Sequence, residues 1–188
     1  GYIDNDGDVY AGDYDDPGFN ELETNGATAT IKWTISDDVK LVSITDISNV
    51  ERTYIEDTDA SPVPLFNFFL TTDAKQISQE LRLEGSVGEL QWVVGGYYLD
   101  LDINDSNGAI SEPFIGGGGT TVEGSEGGLY NPYISTLTSQ SLFGQIEYPL
   151  ATDLTLIAGM RLIQDEKEFD FSVNAVEFLN PESKPGFA

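Results

Sequence analysis

The chain has 188 residues, no Cys and no His, and 8 Lys plus Arg against 33 Asp plus Glu, a formal net charge of -25. This composition excludes a Cys/His zinc site, a disulfide scaffold, a thiol nucleophile and a His-based triad within the chain. It also argues against nucleic acid as a partner, because phosphate contacts need Lys and Arg; divalent cations, basic ligands or plain solvation suit the carboxylate surplus better.

No apolar run approaches the roughly 20 residues that a spanning helix needs. A barrel strand needs only about 9–11, half of them facing away from lipid, so a membrane stays open. The chain opens at Gly1 without Met or a signal peptide and ends at Ala188 after a polar, Pro-containing stretch. It is expected to be a piece of a longer protein.

Residues 1–26 read as an acidic loop, broken by Gly7, Gly12, Pro17 and Gly18. Asp4, Asp6 and Asp8 are candidate ligands for Ca2+, although the spacing departs from an EF-hand, with Val9 where the loop glycine belongs. A solvated acidic loop is the plainer reading. In residues 27–35, Ala27, Ala29, Ile31, Trp33 and Ile35 alternate with Thr28, Thr30, Lys32 and Thr34, the period of a strand with two unlike faces. A short turn at 36–38 leads to a second strand over 39–55, and 56–65 forms a loop in which Pro62 and Pro64 bar ladder hydrogen bonds.

The next strand starts near Phe66 or Leu70 and runs to Glu84, leading into the clearest hairpin. Ile77, Leu81 and Leu83 alternate with Glu80, Arg82 and Glu84; Gly85 and Gly88 free the turn; Leu90, Trp92, Val94 and Tyr98 share the returning face. Residues 102–135 are expected to be a long, Gly-rich acidic loop. Strand pattern resumes from about Thr136 to Tyr148, with Ser141, Gln145 and Glu147 on one face and Leu142, Ile146 and Tyr148 on the other. After a turn at 149–153, Leu154, Leu156, Ala158, Met160 and Leu162 line one face of a strand reaching about Phe171, and 172–188 is expected to be loop or strand end.

Short turns near 36–39, 85–89 and 149–153 alternate with long acidic connections at 1–26, 56–65 and 102–135. In an up-and-down sheet this puts the short turns at one rim and the long loops at the other, as in outer-membrane barrels. The expected fold is all-β: an antiparallel up-and-down meander of about six to eight long strands over 27–171, part of a transmembrane β-barrel. Two alternatives are a secreted acidic β-sandwich binding calcium or glycans, with two stacked sheets, and a small complete barrel whose first and last strands pair.

Three segments resemble the barrel of TonB-dependent outer-membrane receptors, in that family's order: WTISDDVKLVSITDISNVERTYIEDTDASP at 33–62, SQELRLEGSVGELQWVVGGYYLD at 78–100 and LFGQIEYPLATDLTLIAGMRLIQDEKEF at 142–169. The resemblance implies a barrel of about 22 strands around an N-terminal plug. It places the protein in a bacterial outer membrane, in contact with lipid, with the plug domain and remaining strands of the same protein, and with TonB through an N-terminal region. The chain matches neither the plug nor the TonB box nor the closing C-terminal strand of the family. The implied function is uptake of a scarce, bulky small-molecule nutrient, with ferric siderophores as the broadest default. The acidic loops fit a strongly anionic chelate poorly, so carbohydrate or another neutral or cationic solute stays open.

No enzymatic activity is expected: with so many acids, pairs such as Asp165-Glu166 arise by chance, and Gly116 to Gly119 lacks the context of a phosphate cradle. Lys32, Glu80, Arg82, Glu147 and Arg161 would face the lumen if the alternating apolar face meets lipid, and there serve as a cross-strand ion ladder, plug contacts or solute contacts. Tyr10, Tyr14, Phe114, Tyr130 and Tyr133 fall in the long loops, where they either bind a flat ligand or pack within the loop.

Overall fold

A computed structural model describes residues 3, 8, 10–63, 65–111, 114–115, 121–122 and 126–178. Six long strands carry the fold: β1 Phe19–Ser36, β2 Val39–Asp57, β3 Asn67–Val87, β4 Leu90–Ser111, β7 Glu126–Ala151 and β8 Leu154–Phe171. Two short strands, β5 Phe114–Ile115 and β6 Thr121–Val122, pair with each other, and β9 Asn174–Phe178 extends the edge beyond β8 by pairing with β7. All pairings are antiparallel, in the order β1-β2-β3-β4-β7-β8. No helix is present among the described residues.

The single-sheet antiparallel meander of six long strands bears out the all-β, up-and-down part of the expectation. The sandwich alternative is corrected: the six long strands form one sheet, not two stacked ones. So is the small complete barrel, because β1 and β8 are opposite edges of an open sheet. The three turns at Asp37-Asp38, Gly88-Glu89 and Thr152-Asp153 lie at one end, and the ends of β2 and β4 and the starts of β3 and β7 lie at the other.

Strand boundaries extend past the expected ones. β1 begins at Phe19, inside the expected loop 1–26, and 102–111 and 126–135 belong to β4 and β7 rather than to a loop. The alternation in this part of β4 is intact but inverted. Up to Tyr98 the even positions are apolar; beyond it Asp100, Asp102 and Asn104 are even, while Leu99, Leu101 and Ile103 are odd. A pattern that changes faces reads as a pattern that ends. The gap between β8 and β9 has a local cause. The carbonyl of Pro132 accepts from Ser172 N at 3.2 Å, so residue 132 turns its polar edge toward β8. Proline has no N–H to return, and the ladder is interrupted there, from Phe171 to Asn174.

The register makes the two faces explicit. Trp33, Leu41, Leu83, Val94, Gly144 and Met160 are successive cross-strand partners, and Ile31, Ser43, Leu81, Gly96, Leu142 and Leu162 form the next row. On the other face Lys32, Val42, Arg82, Gly95, Phe143 and Arg161 form one row. In the half of the sheet near the turns, the buried residues Val42, Ser78 and Ser141 all lie on this charged face, whereas Ile31, Leu81, Leu142 and Met160 stand exposed on the apolar one. The charged face is therefore the concave side. Among the described residues the buried apolar side chains are only Val42, Phe69 and Ala109, too few for a core.

Candidate functional site

The concave face gathers all five charged residues expected to share one face. Lys32, Arg82 and Arg161 occupy one cross-strand row, Glu80 lies one row farther from the turns, and Glu147 lies nearer them. Strand parity alone places them together, because each sits opposite its strand's apolar positions. Arg82 is clamped along its own strand: Nη1 pairs with Glu80, and Nε donates to Glu84 Oε1 at 2.7 Å. These groups stand two apart on one face, where neighbouring side chains of a strand meet.

Arg161 is held differently. Its guanidinium lies over the rings of Tyr97 and Phe143, 5.6 and 5.8 Å from their centroids. Its Nε and Nη2 both donate to the hydroxyl of Ser141, at 3.1 and 2.8 Å. Among the described residues no carboxylate comes within ion-pair distance of it. A hollow of about 530 Å3 opens on this side, lined among others by Arg82, Glu84, Phe143, Gln145, Glu147 and Arg161. Tyr97, Phe143 and Ser141 escape a reading for site residues. Parity could have placed them on the charged face, but their meeting at Arg161 depends on the register between β4, β7 and β8.

Farther from the turns the same face becomes aromatic. Tyr133 donates to Asp105 Oδ2 at 2.8 Å and lies 6.0 Å from Phe169, which stacks on Phe171 at 6.3 Å. The convex face carries the acids at this height: Glu21 and Glu23 on β1, Glu51 on β2, Asp73 on β3, Asp100 and Asp102 on β4, Glu166, Glu168 and Asp170 on β8. Lys75 is the cation among them, 3.4 Å from Asp73.

The aromatics expected in loops divide. Tyr10 and Tyr14 are exposed in the stretch before β1. Tyr130 and Tyr133 are corrected to strand positions on opposite faces of β7, and Tyr130 packs against Phe69 with centroids 6.3 Å apart. Phe114 belongs to β5, and its side chain lies outside the described ones.

Of the expected calcium ligands, Asp4 and Asp6 fall outside the described residues, and Asp8 folds back on its own loop, accepting from Tyr10 N at 2.9 Å. The carboxylates that do converge are Asp15, Asp57 and Asp59, each offering an oxygen within 4.8 Å of the others. Asp15 N donates to Ser61 O at 3.2 Å, joining the loops, and Asp57 Oδ1 accepts from the backbone N–H groups of Asp59 and Ala60. Burial, then the charges of Asp57 and Asp59, raises the Asp15 carboxyl above the usual range. Three hard oxygens at this spacing suit a divalent cation in kind. Asp57 and Asp59 are close in sequence, but Asp15 lies 42 positions before the first of them, which is why sequence spacing does not disclose the cluster.

No protein-family model matches the chain.

Proposed function

We propose that the chain is a wall segment of a TonB-dependent receptor in a bacterial outer membrane, which captures a scarce small-molecule nutrient at its outer loops and passes it inward when TonB rearranges a plug. The observation that carries the reading is the uncovered apolar face. Trp33, Ile31, Leu81, Val94, Leu142, Met160 and Leu162 remain 50–70% exposed, across five of the six long strands. A water-soluble protein rarely leaves so continuous an apolar patch open, and acyl chains are the natural cover. On β4 the apolar positions run from Leu90 to Tyr98, roughly 20 Å of height at the usual strand tilt, which suits a lipid-facing band. Two-residue turns at one rim and long connections at the other agree with it, as does the order of the three resembling segments. In this reading the two open edges pair with further strands of the same barrel, because unpaired edge groups are costly in lipid.

The two tryptophans supply the test, since Trp33 and Trp92 both lie on the apolar face near the turns. The product of the full reading frame should fractionate with outer membranes, and brominated phospholipids should quench its emission at those two positions. Recovery in the soluble fraction, with emission indifferent to brominated lipid, would sink the proposal.

A further inference from the structure

We infer that Arg161 is the anion-docking residue of the concave wall, placed to take a carboxylate or phosphate group carried by the solute. The inference rests on the receptor reading above, which makes the concave face the solute's path.

The two arginines of the Lys32–Arg161 row differ in what is left to them. Arg82 is already matched by Glu80 and Glu84. Arg161 has no acidic partner among the described residues, yet it is far from loose. Tyr97 and Phe143 take water from the guanidinium without cancelling its charge. Ser141, buried at 6% exposure, holds two of its donors on one oxygen and so fixes the plane of the fork. A guanidinium has five N–H donors, and those on Nη1 are uncommitted. A pre-oriented fork with uncommitted donors, and no acid within ion-pair distance among the described residues, is the arrangement that favours an oxyanion over a neutral group. The hollow beside it gives such a group room; Glu80, Glu84 and Glu147 also line it, the first two held by Arg82.

Within the sheet the charge is unevenly placed between the two faces. The carboxylate surplus of the sheet stands on the convex face, from Glu21 to Asp170, with Lys75 as its cation. The concave face carries Lys32, Lys40, Arg52, Arg82, Arg161 and Lys167 among its own acids. An anion inside meets a nearly balanced wall, and the acids behind it are separated by the sheet.

The test uses the full-length protein in detergent, with citrate and inorganic phosphate as probes and glycerol as the neutral control, followed by calorimetry. Saturable citrate or phosphate binding is expected, with none for glycerol. Arg161→Met and Arg161→Lys should each weaken it at least tenfold, the second because an ammonium cannot reproduce the fork. Asp100→Asn with Glu166→Gln, on the convex face, should leave it unchanged. Thermal unfolding of each variant checks that the fold survives, and Arg161→Lys keeps charge and stem for that purpose. Binding that persists undiminished in both Arg161 variants, or is absent from the unaltered protein, overturns the docking role. A protein that stays in the membrane fraction but shows either result fails this inference alone; a soluble product fails the receptor reading itself.

Discussion

Asp15 is held where two other carboxylates converge, and its raised pKa has a definite sign for stability. The folded state keeps the proton to higher pH than the unfolded chain, so between the ordinary and the raised value the folded form binds more protons. Stability of the loop junction therefore falls as pH rises through that window and is lowest at neutral pH. Asp15→Asn removes the repulsion and should slow amide exchange over 58–66 at pH 7, by no more than about 0.5 kcal/mol because the group is exposed, with no difference from the unaltered chain at pH 3. Slower exchange at pH 3 and none at pH 7 would reverse the sign. Arg82 is the opposite case, a cation whose removal strands two acids on one strand face. Arg82→Met should cost about 1–2 kcal/mol in denaturant unfolding, and adding Glu80→Gln and Glu84→Gln should recover most of it. If the triple variant is as weak as the single one, the loss comes from packing of the arginine stem rather than from stranded charge.

At the scale of the element, the β3–β4 hairpin depends on one backbone position. Gly88 has φ +62°, and a Cβ there would meet nothing within 4 Å, so any penalty of substitution is backbone strain alone. Gly88→Val should lower stability by about 1–2 kcal/mol, whereas Gly88→Asn, which tolerates the left-handed region, should lie close to the unaltered protein in unfolding midpoint. Equal loss in both variants would point to something other than strain. This hairpin was legible in the sequence because alternation on β3, alternation on β4 and the turn glycine agree. The distal halves of β4 and β7 were not, because the polarity inverts at Tyr98 and because Gly108, Asn131 and Pro132 disfavour strands in isolation. They are strands because the neighbouring chain supplies the ladder, from Asn107↔Asn131 to Ser111↔Gly127. Pairing across the sheet decides such cases, and local propensity does not contain it.

For the whole molecule, face membership could be read from parity, and register could not. Parity put Lys32, Glu80, Arg82, Glu147 and Arg161 on one side; only register made Lys32, Arg82 and Arg161 a single row and set Tyr97, Phe143 and Ser141 around the last of them. Register likewise fixes how far the apolar face extends. Leu142 lies in the row Leu81–Gly96–Leu142–Leu162, inside the apolar band and 67% exposed. Thr138 lies four residues along the same strand and on the same face, but in the row of Asp100 and Glu166. Arginine at the two positions separates a wet face from a lipid one. On a solvated face both substitutions touch little and should each stay within about 0.5 kcal/mol. Against lipid, Leu142→Arg should cost about 2–4 kcal/mol near mid-depth. Thr138→Arg, beyond the band and flanked by two carboxylates, should be neutral or mildly stabilising. Reversible unfolding in phospholipid vesicles measures both, and two equal, small effects would leave the apolar face without a membrane.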